Sequence, residues 1–292
     1  MDTINYALQQ LMNGICQGSI YALMAIGYTM IFGVVGLVSF SYGELVMVGG
    51  FGAYYTFVYS GNFFLGVVSG FLASAVWGIV LYILCYKRFL EAPRHISMIC
   101  TFAFSMMTKN LAQIIFGSEP KAVPSVFENV TYTVLGIRIT SLQMVIIAVV
   151  IVFAVCFTLF LTKTRPGTML RAVSQNKKAS ALMGINVQRT VLVGNGIGCA
   201  LGGVAGVLLI LYYASCYPTL GQLVGNKALT ATVLGGLVSI SGSALGGLSI
   251  GILENLGIMF IPVGFRDVIT FLFLVIVLLF KPNGLFVRKG TR

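Results

Sequence analysis

The chain carries little charge. Lys, Arg, Asp and Glu make up 9% of its 292 residues, against 58% hydrophobic residues. A soluble domain usually has about 25% charged residues, so much of this surface must face something other than water. Acid is scarcer than base, with 7 Asp and Glu against 18 Lys and Arg. The only histidine, His95, sits in a basic loop beside Pro93 and Arg94. The sequence has no H-E-x-x-H and no phosphate-binding G-x-x-x-x-G-K-[ST] run. These absences leave no candidate catalytic residue and no metal-ligand set, and the chain reads as a non-enzyme without a cofactor of its own. Without a phosphate loop, energy from ATP can reach it only through another subunit. Cys16, Cys85, Cys100, Cys156, Cys199 and Cys216 form no C-x-x-C pair and read as small buried hydrophobes. The opening MDTINYALQQL lacks the basic stretch and cleavage site of a signal peptide.

What is present is a series of long apolar runs. Mean hydropathy is +0.98, and a span needs about 20 apolar residues. The expected membrane segments are 8–32, 44–60, 64–86, 96–117, 139–162, 191–213, 226–239, 243–261 and 267–280. The 226–239 piece is short and Gly-rich, as a half-helix would be. The fold class is therefore an all-α polytopic membrane bundle, read as one membrane domain over residues 1–292.

Basic residues concentrate in three loops. The 87–95 loop holds Lys87, Arg88 and Arg94 against Glu91. The 163–189 loop holds Lys163, Arg165, Arg171, Lys177, Lys178 and Arg189 with no acid. The tail from Lys281 adds Arg288, Lys289 and Arg292. These belong in the cytoplasm, and the balanced 118–138 loop and the N-terminus belong outside. An outside start and a cytoplasmic end require an odd number of crossings, and about nine fits. The net charge of +11 follows from this loop pattern. No aromatic–basic interleaving points to nucleic acid. The Asn129-Val130-Thr131 glycosylation triplet is too short to carry an argument.

GLVSFS at 36–41 returns as GLVSIS at 236–241, each in a turn between apolar segments. This is the expected mark of an internal repeat, whose broken helices in transporters meet at the pathway. Gly198, Gly202 and Gly206, Gly14 and Gly18, and Gly242 and Gly246 recur every four residues and suit close helix packing. Glu44, Lys109 and Glu254 fall within apolar segments, where an ionised group near the bilayer centre costs about 2.5–3.5 kcal/mol on insertion scales. Each must face protein or water. Glu44 reads as either a helix-start carboxylate or a pathway residue, Glu254 as either a structural or a pathway group, and Lys109 as either snorkelling or lining the pathway.

The 163–189 loop has structure of its own. Pro166 and Gly167 break the preceding span, Thr168 is placed to cap a helix to about Gln175, and a second helix over about Lys177–Met183 ends at Gly184. Such a basic two-helix knob suits a groove on a partner. Its pattern, G-x-x-x-R-A as Gly167, Arg171 and Ala172, then Ser180, Gly184, Ile185 and Asn186, resembles the coupling loop of ABC-importer permeases of the branched-chain amino acid type. The stretches 21–44, 226–256 and KPNGLF at 281–286 resemble that family's other conserved blocks, and the H-type subunit of its permease pair fits best. The chain departs from the family pattern at Ser39–Glu44, at Ser241, at Lys109-Asn110 and at Ser180.

The resemblance implies a permease subunit importing amino acids, most of all Leu, Ile and Val, across a prokaryotic inner membrane. Its implied partners are a second permease subunit forming a heterodimer, two ATP-binding subunits that consume the ATP, an extracytoplasmic substrate-binding protein and membrane lipid. It implies ATPase coupling over 163–190 through Gly167, Arg171, Ala172, Ala179, Ala181, Leu182, Gly184, Ile185 and Asn186. The repeat and the intramembrane charges place Ser39, Ser41, Tyr42, Glu44, Lys109, Asn110, Ser239, Ser241 and Glu254 along the substrate pathway. A permease for urea or amides, and a stand-alone ion-coupled transporter built on the repeat with Glu44 and Glu254, remain open alternatives at this stage.

Overall fold

The computed structural model describes residues 2–89, 93–126, 130–134, 137–260, 262–281 and 284–285. Glu91, Glu128, the Asn129 of the glycosylation triplet and the tail residues Arg288, Lys289 and Arg292 lie outside the described residues.

The chain forms helices because apolar runs in lipid must satisfy their backbone polar groups internally. The helices are α1 (Asp2–Val35), α2 (Tyr42–Ser60), α3 (Phe63–Leu81), a π-helical turn (Tyr82–Tyr86) leading into α4 (Lys87–Phe89), and α5 (Arg94–Phe116). They continue as α6 (Ser141–Lys163), α7 (Arg165–Gln175), α8 (Lys177–Leu182), α9 (Val187–Tyr213), α10 (Leu220–Gly235), α11 (Ile240–Gly257) and α12 (Arg266–Phe280). Between α5 and α6, strands Thr131–Val134 and Ile137–Thr140 form a hairpin, and Lys121–Ala122 pairs with Ser215–Cys216.

Among the described residues five stretches are long and apolar enough to span a bilayer: 5–35, 63–89, 95–116, 141–163 and 187–213. The other expected segments are shorter helices. The expected 226–239 segment is α10, displaced to Leu220–Gly235. At 16 residues it is about 24 Å long, short of the roughly 30 Å hydrocarbon core.

Buried α1 and α9 form the centre, antiparallel and in contact where Gly27 meets Gly198 and Val34 meets Gly194. Around them the packing maps onto itself. α1 lies on α11 as α9 lies on α3, α2 lies on α9 as α10 lies on α1, and the hairpin α2–α3 matches the hairpin α10–α11. The internal repeat is therefore α1–α2–α3 against α9–α10–α11, with inverted direction. The expected pairing of 36–41 with 236–241 is wrong. The first copy is the re-entrant turn before α2, with Ser39 and Ser41 buried, and the second is the α10–α11 turn, with Val238 exposed. The equivalent sequences are Gly43-Glu44-Leu45-Val46 and Gly221-Gln222-Leu223-Val224 at the two half-helix starts.

α1 ends at Gly36, whose φ of 77° favours glycine. The chain then folds back beside α1. Tyr28 Oη donates to the Ser39 carbonyl at 3.1 Å, and Tyr42 Oη donates to the Met24 carbonyl at 2.9 Å. α2 thus starts well inside the bundle. α5, α6 and α12 turn exposed apolar side chains outward, among them Ile99, Ile114, Ile151, Val155, Leu272 and Leu279, as a lipid-facing surface requires.

Candidate functional site

The two half-helices meet at their N-terminal ends. A Cβ on Gly43 would lie 2.0 Å from the Gly221 carbonyl oxygen, and one on Gly221 would lie 2.8 Å from that of Gly43. Glycine at both positions lets the backbones touch, and this contact brings Glu44 beside Gln222. A pocket of about 90 Å³ opens there, lined by Glu44, Lys109, Gln222, Asn226, Ser105 and Ser39, with Phe40, Phe102, Met106 and Leu229 as its apolar wall.

Glu44 is 2% exposed. Its Oε1 accepts from Ser105 Oγ at 3.3 Å, and its Oε2 has no hydrogen-bond partner among the described residues. Lys109 Nζ donates to Gln222 Oε1 at 3.0 Å, so it faces the pocket rather than snorkelling away. Ser39 lines the pocket through a turn held by Tyr28. Ser41 Oγ donates to the Thr101 carbonyl and fastens that turn to α5.

Ser41 does not line this pocket, and neither do Tyr42, Asn110, Ser239 and Ser241. Tyr42 is fully buried against Gly202 and Tyr28, as its ring points back toward α1 and α9. Asn110 is exposed one position round α5 from Lys109, and so points away by about 100°. Ser239 caps α11, accepting from Gly242 N at 3.1 Å, and Ser241 is exposed on the first turn of α11.

Glu254 belongs to a second cluster on the other side of α10. It is 0% exposed and bridges Lys227 Nζ at 2.9 Å and Arg266 Nε at 3.0 Å. It also accepts from Thr270 Oγ1 at 2.5 Å and Tyr21 Oη at 3.2 Å. Lys227 holds Asp267 as well, at 3.0 Å. Gln17 ties the cluster to α1, accepting from Asn255 at 2.9 Å and from Arg266. The two acids and two bases balance. A pocket of about 190 Å³ borders them, walled by Tyr21, Tyr213, Tyr217, Leu223 and Val224. Sequence reasoning missed Lys227, Arg266 and Gln17. Lys227 and Arg266 fall at the edges of short segments, where a charge reads as a loop residue, and Gln17 carries no charge to draw attention.

At the end of the bundle where α1 stops, α7 and α8 form the expected knob. α7 starts three residues earlier than expected. Thr164, not Thr168, is its cap, with Oγ1 accepting from Gly167 N at 3.2 Å, because Pro166 lacks an N–H and suits the first helical turn. Gly167 packs against the Phe160 carbonyl, and Leu170 and Val173 are buried beneath α7. Asn176 caps α8 and Asn186 caps α9, at 3.0 and 3.1 Å. Asn186 therefore sits at the start of α9, past the α8 tip. Lys177 Nζ reaches the Val35 carbonyl at 2.6 Å, locking α8 to the end of α1. Gly184 turns the chain with φ 80°. Arg171, Ala179, Ala181 and Gly184 are exposed, Ala172 and Ile185 are half-buried, and Leu182 and Met183 project at 89% and 82% exposure.

The profile of the family described as "Branched-chain amino acid transport system / permease component" matches residues 10–278. The chain is 34% identical to the "High-affinity branched-chain amino acid transport system permease protein LivH" of Escherichia coli (strain K12), over 97% of this chain and 96% of that protein. It is 35% identical to the corresponding permease protein BraD of Pseudomonas aeruginosa, over 99% and 98%. A more distant relative, the "Ribose import permease protein RbsC" of Escherichia coli (strain K12), is 24% identical over 86% and 78%. With this fold, a polar pocket between two half-helices and a match over nearly its whole length, the chain belongs to the family of branched-chain amino acid transport system permease components.

Proposed function

We propose that the chain is the membrane-spanning subunit of an ABC importer for leucine, isoleucine and valine. It sits in a prokaryotic cytoplasmic membrane with its N-terminus outside and its C-terminus in the cytoplasm, as its basic loops favour. Residues 1–292 act as one membrane domain. A second permease subunit completes the pathway, an extracytoplasmic protein delivers substrate, and two ATP-binding subunits grip the 163–190 loop and consume the ATP.

The observation that carries this reading is the α8 tip. Leu182 and Met183 stand almost fully exposed on a loop that is otherwise basic. Large apolar side chains held out by a well-capped helix fit a pocket on a partner, where such anchors hold most of the binding energy. Below the tip, Lys177 and Leu170 join the knob to α1 and α9, against which α10 and α2 pack, so motion of the knob has a route to the pocket.

The test is Leu182→Asp in the complete reconstituted complex. The side chain is exposed, so the permease itself folds, and loss of one anchor in a partner groove lowers leucine uptake by about tenfold or more. Unchanged uptake overturns the coupling role. The inverted repeat is also found in secondary transporters, and leucine uptake by the purified chain alone under an ion gradient would favour that reading instead.

A further inference from the structure

We propose that the pocket between the α2 and α10 starts recognises its substrate as a zwitterion, with Glu44 taking an α-ammonium group and Lys109 an α-carboxylate. The inference rests on the importer reading above and adds where and how that importer holds its cargo.

The argument begins with an imbalance. Glu44 is buried, and its Oε2 has no partner among the described residues. A buried carboxylate without a cation is costly, and proteins retain such groups where a ligand completes them. Lys109 faces the same pocket, yet it donates to the neutral Gln222, and among the described residues no ion pair joins it to Glu44 or to another acid. One pocket thus presents two opposite charges that no direct ion pair joins. A monocation would satisfy Glu44 and leave Lys109 unmatched, and a monoanion would do the reverse. A ligand carrying both charges on one carbon answers both.

The cluster around Glu254 shows what this chain does when charges serve only packing. There every charge is paired within 3.0 Å. The Glu44 pocket departs from that pattern on the side of α10 where the half-helices meet.

The walls supply the rest of the specificity. The pocket, about 90 Å³, takes the charged end of an amino acid, and the side chain lies along its half-exposed aromatic wall. Phe40 and Phe102 stand edge to face there with centroids 6.3 Å apart, beside half-exposed Met106. An aliphatic chain gains contact on this surface, and no further charge lines the pocket to hold an ionised side chain.

The experiment uses the complete complex carrying Met106→Cys, with alkylation by a maleimide followed at position 106 by peptide mass. L-Leucine is expected to slow labelling, whereas 4-methylpentanoate, which lacks the ammonium, and 3-methylbutylamine, which lacks the carboxylate, do not. Adding Glu44→Gln or Lys109→Gln is expected to shift protection to about tenfold higher leucine or more, from loss of a charge-assisted bond. Glu44→Asp and Lys109→Arg retain part of it. Equal protection in both charge-neutralised variants overturns the proposal, as does protection by either single-charge analogue. If Glu44→Gln fails to assemble, Lys109→Gln decides alone. Leucine uptake by the unsubstituted complex is measured in parallel. Absent uptake there is a failure of the importer reading, whereas intact uptake with unaltered labelling is a failure of the zwitterion reading only.

Discussion

α10 separates two polar sites that differ in one respect. On one side, Glu254 is closed in by Lys227, Arg266, Thr270 and Tyr21. On the other, Glu44 keeps an unpartnered oxygen and looks across a pocket at Lys109. Both carboxylates are buried, so burial alone does not say which one serves transport. On the reading proposed above, completeness of pairing separates them. A satisfied cluster joins α1, α10, α11 and α12 into one body, whereas an unsatisfied one leaves chemistry available to something else.

The largest effect expected from breaking this contrast is at the closed cluster. Glu254→Ala strips buried Lys227 and half-buried Arg266 of their shared partner, and removing one member of a buried pair costs about 3–5 kcal/mol. Thermal unfolding of the purified complex is expected to show a much lower midpoint or no assembled complex. An unchanged midpoint would remove the structural role. Gly221→Ala comes next. Its new Cβ lies 2.7 Å from Glu44 Oε2 and 2.8 Å from the Gly43 carbonyl oxygen, and overpacking of this kind costs about 1–3 kcal/mol. The same measurement is expected to show a moderate loss, with uptake reduced further because the half-helix starts are forced apart. Lys109→Gln is expected to leave stability within about 0.5 kcal/mol, as substitutions outside packed networks do, while leucine uptake falls. Asn110→Ala, outside the pocket, is expected to change neither stability beyond about 0.5 kcal/mol nor uptake.

Much of this molecule was legible in its residues. The knob at 163–190 announced itself through charge, the Pro166-Gly167 break and Gly184, although its first cap is Thr164 and not Thr168. The cost of charge in lipid required Glu44 and Lys109 to face protein or water, but left open whether Lys109 snorkels or faces the pocket. Other features were not legible, for physical reasons. The repeat is inverted, so its equivalent residues share position but little sequence beyond Gly-Glu-Leu-Val and Gly-Gln-Leu-Val. The more obvious GLVS echo arose from common turn residues. The partners of Glu254 come from α1, α10 and α12, and only tertiary packing brings Gln17, Lys227 and Arg266 to one carboxylate. Ser239 looked like a pathway residue because a serine in a Gly-rich membrane turn serves equally as a helix cap.

The most direct test of the contrast compares Glu44→Gln with Glu254→Gln in the same reconstituted complex, recording both unfolding midpoint and leucine uptake. Glu44→Gln is expected to keep the parent midpoint, since the amide retains an acceptor for Ser105 and removes an unpaired charge, and to lose most uptake. Glu254→Gln is expected to lower the midpoint. Full uptake in Glu44→Gln, or a fall in its midpoint matching that of Glu254→Gln, would contradict the division of labour between the two carboxylates.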